Sequence, residues 1–445
     1  MNALEIIRSA PAEPCHPCPR YLLPPESWNA LLAALGSTAS PELLALWADT
    51  VQVHALFRGP AHQLALASTG IEEGKYPALS PVRPTAALFE RMVQDLWGHV
   101  AQGAADIRPW VDHGHWPYTQ PLAPRPGPPA VNPEPPEFRP TPGLMQVPIG
   151  PIEGLIGEPA HLRLATYGEE VRRAECRLGY AHKGVLSLMR GKSPRNAVRF
   201  AARLSGDTTV AHSLAFAHAA EAATGSAAPP RAAALRLVMT HVECAAYHLD
   251  ALALVADAFG DSKVFALCGR HIELLRRAAA IAFGHRLMMD LIVPGGLVAD
   301  IAPGGQEAVL EAASQLCTAL PALRRLLQAQ RFRLAGDSWS RMGHSLAELT
   351  KNLRLLANKL DALSDGEIAV PIPSVSGEGL GMAEAGRGEI WHWLRLDHGQ
   401  IAAVFCCDPG WALWPLAEAA MAKSNVDDVA VIRASFGLAV SGVDL

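Results

Sequence analysis

The spacing of hydrophobic and polar positions changes several times along this chain, and those changes divide it into units. From residue 194 onward, apolar residues recur three and four apart, as on amphipathic helices. This pattern predicts helices over 194–223, 231–259, 263–289, 305–331 and 340–363, all rich in alanine, leucine and arginine. Residues 42–47 and 87–99 also read as helical. Period-two alternation predicts strands at 51–57, 63–69, 161–166 and 171–179. Near the end, residues 389–396 alternate as a strand into the turn Asp397-His398-Gly399, and 401–406 returns as the hairpin partner. The glycine-rich stretch 375–388 reads as a loop.

Proline punctuates the rest. Residues 117–142 contain Pro-Gly-Pro-Pro and Pro-Glu-Pro-Pro, which continue neither helix nor ladder and favour an extended, semi-rigid path. The predicted fold class is therefore α+β: mainly a helical bundle with small antiparallel sheets at its edges, preceded by a small α/β N-terminal domain. The expected organisation is an N-terminal segment over 1–26, a first domain over 27–117, a Pro-rich linker over 118–144 and a main domain over 145–445. No internal repeat is apparent.

Composition narrows the function classes. The chain has 445 residues, half of them hydrophobic, so a substantial core is available. A net charge of −5, without a Lys/Arg run interleaved with aromatics, argues against nucleic-acid binding. No apolar stretch reaches the roughly 18 residues of a membrane span; the most apolar helix segment is interrupted by Asp250 and Asp257. Eight scattered cysteines and the start Met1-Asn2-Ala3-Leu4-Glu5 lead us to expect a reducing, cytosolic setting. Cys15-His16-Pro17-Cys18 has redox or zinc spacing, but no second pair accompanies it, so a disordered or loosely packed segment is the favoured reading.

Two short segments carry the chemistry. The first is Arg203-Leu204-Ser205-Gly206-Asp207-Thr208, followed by His212; the second is Asp408-Pro409-Gly410-Trp411-Ala412-Leu413. Together they resemble the two metal-ligand motifs of nickel-iron hydrogenase large subunits, Arg-x-Cys-Gly-x-Cys-x-x-x-His and Asp-Pro-Cys-x-x-Cys. The four cysteine positions read Ser205, Thr208, Gly410 and Leu413. A nickel-iron centre needs soft thiolate donors. Two hydroxyls that stay protonated near neutral pH, and two side chains with no donor, do not supply them. Cys406 and Cys407 do not replace them, because Asp408-Pro409 fixes the register and adjacent strand residues point to opposite faces. They read as two free buried cysteines.

The resemblance extends along most of the chain. Gly150-Pro151-Ile152-Glu153-Gly154, Tyr180-Ala181-His182-Lys183-Gly184, the helix from Arg236 to His248, Gly284-His285-Arg286 and Glu384-Ala385-Gly386-Arg387-Gly388-Glu389 follow in the order of that family. The main domain is thus similar to the large subunit shared by membrane-bound (group 4) hydrogenases and respiratory complex I (the 49 kDa-type subunit). Tyr76 to Pro81 and Glu90 to Gly98 are similar to the smaller 30 kDa-type subunit of complex I. The closing Gly442-Val443-Asp444-Leu445 is similar to the end of a processed large subunit, as expected if no nickel-dependent trimming is needed.

The resemblance implies a peripheral core subunit on the cytoplasmic face of the inner membrane. It would pack against a small iron-sulfur subunit holding a 4Fe-4S cluster, with a membrane anchor and antiporter-like subunits. No cofactor is expected on this chain itself, and a quinone is the candidate acceptor. The site residues it implies are Glu153, His182, Arg203 and Asp408 around a vacated metal cavity, with Asp207 and His212 beside them. Glu153 stands where the complex I branch places a histidine, and it reads equally as a proton relay and as a structural carboxylate. His212 is favoured as a satisfied core histidine. Arg236 and His248 are implied to face the partner's cluster; an intrahelical network that only fixes packing is weighed evenly against this. A degenerate, non-catalytic scaffold is the alternative for the whole chain.

Overall fold

The computed structural model describes residues 1–37, 40–131, 137–152, 158–330 and 337–445. The chain opens with helix α1 (Ala3–Ser9), started by a capping box between Asn2 and Glu5. Strands β1 (Ala12–Glu13) and β2 (Arg20–Leu22), helix α2 (Pro25–Leu35) and strands β3 (Glu42–Ala48), β4 (Gln52–Arg58) and β5 (Leu64–Gly70) follow. They form a five-stranded sheet in the order β1-β2-β5-β4-β3, with β2 parallel to β5 and the other pairs antiparallel. Strands β6 (Lys75–Pro77) and β7 (Val100–Gln102) pair in parallel across helix α3 (Ala87–Trp97), which ends at Gly98 with φ 78°.

Residues 42–47 are therefore strand and not helix. Glu-Leu-Leu-Ala-Leu-Trp has good helix formers, but pairing with β4 and burial of Ala45 to Ala48 override that local preference.

The second unit begins with the antiparallel sheet β8 (Met145–Ile149), β9 (His161–Tyr167) and β10 (Glu170–Arg177), in the order β10-β9-β8. Helices α4 (Val185–Met189), α5 (Pro194–Ala201), α6 (Thr209–Thr224), α7 (Pro230–Ala258) and α8 (Ser262–Phe283) come next. The short hairpin β11 (Ile292–Val293) and β12 (Gly296–Leu297) precedes helices α9 (Gly305–Ala329) and α10 (Asp337–Asp361). Two of these differ from the periodicity. The segment 194–223 is two helices, α5 and α6, broken at the Arg203–Thr208 segment, and α8 stops at Gly284 with φ 74°. Apolar residues resume beyond both breaks, so a helical reading by spacing runs across them.

The last sheet is the meander β13 (Gly377–Ala385), β14 (Gly388–Asp397) and β15 (Gln400–Cys407). Helices α11 (Gly410–Met421), α12 (Val429–Phe436) and α13 (Ser441–Asp444) close the described fold. The expected loop at 375–388 is mostly β13, and its glycines have a packing role. A Cβ at Gly377, Gly379 or Gly381 would stand 2.1, 2.3 and 2.1 Å from the carbonyl oxygens of Ala223, Ala219 and Ala215. The strand lies directly on the backbone of α6, and only glycine on the facing side permits it.

The first 26 residues are built in and not loose. Ile6, Ile7 and Cys15 are buried, and His16 exchanges backbone hydrogen bonds with Glu378 (3.2 Å) and Leu380 (2.7 Å) of β13. The two sheets share a core in which Trp47 stacks on Phe405 at 5.1 Å. Arg20–Glu378 (2.8 Å), Arg58–Glu389 (2.7 Å) and Arg395–Asp49 (2.6 Å) tie the same interface. No helix among the described residues is long and apolar enough to cross a membrane.

Candidate functional site

Four chain segments meet at one point: the 203–208 loop before α6, the Gly386-Arg387-Gly388 turn between β13 and β14, Asp408 between β15 and α11, and the C-terminal α13. Arg387 is at the centre. Its side chain has no exposed surface; it pairs with Asp207, stands 4.0 Å from Asp408 Oδ2 and lies 5.5 Å over the ring of Tyr247. Burial alone would lower its pKa, but Asp207 and Asp408 outweigh burial and raise it.

Behind Arg387 runs a chain of buried groups. Asp408 Oδ1 accepts from the amide of Gly410 at 2.7 Å, and Oδ2 lies 3.4 Å from His212 Nε2. His212 Nδ1 is 3.1 Å from His392 Nε2, and His392 Nδ1 is 3.2 Å from the Cys406 thiol. Burial opposes ionisation of Asp408, yet Arg387 and His212 hold its pKa below the usual carboxylate value. Burial, and then His212, push His392 well below an ordinary histidine.

On the solvent side of Asp207 a cleft of about 430 Å³ opens, lined by Glu158, Asp207, Asp250 and Asp257, with Arg433 and Trp414 among the other walls. That volume falls within the roughly 300–1,000 Å³ of small-molecule sites. Glu158 also accepts from the amides of Val440 (2.5 Å) and Ser441 (3.1 Å), so one cleft wall caps α13. Glu243, half-buried on α7, accepts from Val210 (2.6 Å) and Ala211 (3.0 Å) at the start of α6. Burial pushes its pKa up to about 8.

The four ligand positions do not fit a thiolate-held metal. Ser205 donates to Asp207, and the Ser441 hydroxyl lies 3.3 Å from that of Ser205. The Thr208 hydroxyl is buried without a hydrogen-bond partner among the described residues. A Cβ at Gly410 would stand 2.6 Å from Val443 Cγ2, so α13 fills the space a longer side chain needs there. Leu413 is half-buried hydrocarbon. Hydroxyls and hydrocarbon are not donors for a soft metal.

The chain is similar to proteins of hydrogenases and respiratory complexes. No family model matches the chain. It is 26% identical over 421 residues to Hydrogenase-4 component G of Escherichia coli (strain K12), spanning 83% of this chain and 76% of that protein. It is 31% identical over 238 residues to Formate hydrogenlyase subunit 5 of the same strain, covering 51% of this chain and 42% of that one. The chain is a homologue of group 4 hydrogenase large subunits and of the 49 kDa-type subunit of complex I. The second relation shows in an NADH-quinone oxidoreductase subunit of Streptomyces avermitilis, 26% identical over 161 residues and 36% of each chain. Among solved structures, a chain of the membrane-bound sulfane sulfur reductase, an archaeal respiratory membrane complex, shares the fold with a TM-score of 0.64 at 16% identity. It covers 68% of this chain and 98% of its own.

In this large-subunit homologue the anticipated site residues separate into three groups. Asp207, His212 and Asp408 do converge; His212 is a core histidine, as favoured, but one bonded into the chain behind Arg387. Arg203 does not join them: its side chain is 46% exposed and pairs outward with Asp290 at 2.5 Å. His182 is turned to the C-terminal segment, its Nδ1 2.5 Å from the Asp444 carbonyl and its ring stacked 4.3 Å from Trp116. Glu153 lies outside the described residues.

Arg236 and His248 belong elsewhere. Arg236 pairs with buried Glu221 at 2.7 Å and donates to the carbonyls of Val293 (2.7 Å) and Gly296 (3.0 Å), pinning the β11–β12 hairpin. Arg236 does fix packing, but not through the intrahelical network weighed for it: its partners lie on α6 and the hairpin. His248 is buried, its Nδ1 unpartnered among the described residues, and burial lowers its pKa to about 4. Cys406 and Cys407 are free and buried, as expected.

Arg387 and Glu243 were missed as site residues. Arg387 left one sequence signal, a lone charge between two glycines. Glu243 left a heptad relation to Asp250 and Asp257.

Proposed function

We propose that this chain is the metal-free large core subunit of a membrane-associated oxidoreductase related to complex I and group 4 hydrogenases, and that its cleft receives the electron acceptor. The relatives supply the setting: hydrogenase components, NADH-quinone oxidoreductase subunits and a respiratory membrane complex. In this reading a small partner subunit carries a 4Fe-4S cluster, membrane anchor and antiporter-like subunits complete the assembly, and the acceptor is of the quinone class. The assembly lies on the cytoplasmic face of the inner membrane. The unit over residues 27–117 is the counterpart of the smaller complex I subunit, on the strength of Tyr76 to Pro81 and Glu90 to Gly98.

The observation that carries the reading is Arg387, fully buried and paired with Asp408 and with Asp207, whose half-buried carboxylate lines the cleft beside Ser205 and Gly206. The fixed guanidinium holds the Asp207 carboxylate in place at the cleft wall, where a positioned polar group can meet the acceptor. Asp207 thus links the buried cation to the cleft.

The second reading is a scaffold that keeps its relatives' interfaces and performs no redox step. Val443 packed against Gly410 favours it, since the old ligand position has become core. Turnover of the purified complex with quinone analogues separates the two. Acceptor use predicts that Asp207→Asn and Asp408→Asn each slow reduction while assembly is retained. Parent-like turnover in both variants supports the scaffold.

A further inference from the structure

Away from the ligand motifs, five arginines converge on a second cavity, of about 220 Å³, between the two units. Arg91 comes from α3, Arg108 from the segment after β7, Arg139 from the segment before β8, and Arg173 and Arg177 from β10. The carboxylates in the same walls are Asp106, Glu175 and, from α11, Glu418. Each already has partners. Asp106 pairs with Arg108 at 2.6 Å, Arg139 at 3.3 Å and Arg91 at 3.6 Å. Glu175 pairs with Arg177 at 2.6 Å and Arg108 at 3.0 Å, and Glu418 accepts from the amide of Cys176 at 2.5 Å. Asp95, which is not part of the walls, is taken up by the amides of Trp110 (2.7 Å) and Val111 (2.8 Å).

The balance is left positive. Five guanidiniums against three carboxylates leave two charges over, and the side chains of Arg91 and Arg177 are only 4% and 3% exposed. Cations that far from water need counter-charge. Burial, with Arg177 and Arg108 adding to it, lowers the Arg91 pKa to about 10 against the pull of Asp106. Burial also pushes the Glu418 carboxyl up to about 7, so it offsets less than a full charge near neutrality. Arg173 is half-buried and has no ion pair or hydrogen bond among the described residues.

A separate signal lies in the same wall. Trp110 lines the cavity, is 2% exposed and has the Arg91 guanidinium 5.0 Å over its ring. Its indole Nε1–H is buried with no acceptor among the described residues. An indole nitrogen only donates. Surplus guanidiniums and an orphaned N–H call for the same partner, an acceptor atom that carries negative charge.

We propose that this cavity binds a phosphate-class oxyanion, held by Arg173 and the Trp110 indole N–H, with Arg91, Arg108 and Arg177 supplying the surrounding positive charge. A phosphoryl group near pH 7 carries about 1.5 to 2 negative charges, which matches the surplus. Its several acceptor oxygens suit forked guanidinium donors. The volume is below the roughly 300–1,000 Å³ of sites for larger organic ligands, so the anion is compact or only its phosphate end enters. Bound there, it joins α3 of the first unit to β10 and α11 of the second. None of the lining residues belongs to the acceptor cleft, so the site stands whatever that cleft receives.

The test titrates the full chain with inorganic phosphate, and with chloride at equal ionic strength, by calorimetry and by the denaturation midpoint. The site predicts a saturable rise of the midpoint with phosphate and none with chloride. Arg173→Gln breaks no ion pair or hydrogen bond among the described residues, yet should weaken phosphate binding about tenfold or more, as for losing a charge-assisted hydrogen bond. Trp110→Phe keeps a ring under Arg91 and should weaken binding severalfold. Arg172→Gln is the control. It removes the same charge one residue away, from an exposed side chain paired with Glu170 at 2.8 Å, and should bind like the parent. A second arm separates the sources of the phosphate with vesicles of phosphatidylglycerol or phosphatidylcholine. Flotation with the anionic vesicles alone, abolished in Arg173→Gln, assigns the phosphate to a lipid; phosphate binding without flotation assigns it to a soluble anion. Either result supports the site. No saturable response to phosphate or vesicles, parent-like binding by Arg173→Gln or Trp110→Phe, or equal losses in Arg172→Gln and Arg173→Gln, overturns it.

Discussion

Arg387 sits between two glycines with no exposed side-chain surface, and its partners Asp207 and Asp408 come from distant segments. Removing it strands Asp408, whose side chain is fully buried, without its cation. Losing one member of a buried pair typically costs about 3–5 kcal/mol. Arg387→Ala should therefore lower the denaturant midpoint markedly, and Arg387→Lys, which keeps the charge but loses the planar fork, should lower it less. Equal stability of Arg387→Ala and the parent would remove the pair from the account. Glu243 makes the opposite kind of prediction. With a folded pKa near 8 against an ordinary carboxyl near 4.5, the folded chain holds the extra proton between those values. That contribution is complete at acidic pH and is lost as pH rises through 8, so stability should fall across this window. Glu243→Gln should flatten the fall, as read from denaturant midpoints at several pH values.

At the scale of elements, what the sequence revealed depended on whether the deciding interaction was local. The β14–β15 hairpin was legible because alternation and the Asp397-His398-Gly399 turn lie within a few residues of each other. Helices α7, α9 and α10 were legible because a long apolar period survives local exceptions. Strand β3 was not, because its residues favour helix and only pairing with β4 decides otherwise. Strand β13 was hidden because Gly377, Gly379 and Gly381 read as flexibility, whereas their purpose is contact with α6. That contact gives a sharp prediction. Gly381→Ala places a methyl 2.1 Å from the Ala215 carbonyl oxygen, where backbone must move. A loss of about 1–3 kcal/mol is expected from such overpacking, measured by chemical denaturation. Gly74→Ala is the comparison, since nothing lies within 4 Å of a Cβ there, although its φ of 74° strains any replacement. A smaller effect at Gly381 than at Gly74 would contradict the packing role.

On the scale of the whole molecule, the vacated motifs were legible as sequence, but the site that replaced them was not. Ser205, Thr208, Gly410 and Leu413 announced missing ligands; nothing local announced that Arg387, 180 residues beyond Asp207, would close over that loop. The same long reach joins the two units. Trp47 and Phe405, with three Arg–carboxylate pairs, make one interface of the N-terminal sheet and the last meander. Calorimetry should accordingly show these units unfolding together, and Trp47→Ala should weaken both. Two separate transitions in the parent would show that the interface does not couple them.

The central claim is that redox metal chemistry belongs to a partner while this chain shapes the acceptor cleft. Elemental analysis of the isolated, intact complex tests it most directly. The account predicts iron in the amount of the partner's clusters and nickel far below one atom per chain. Nickel at one atom per chain would contradict it.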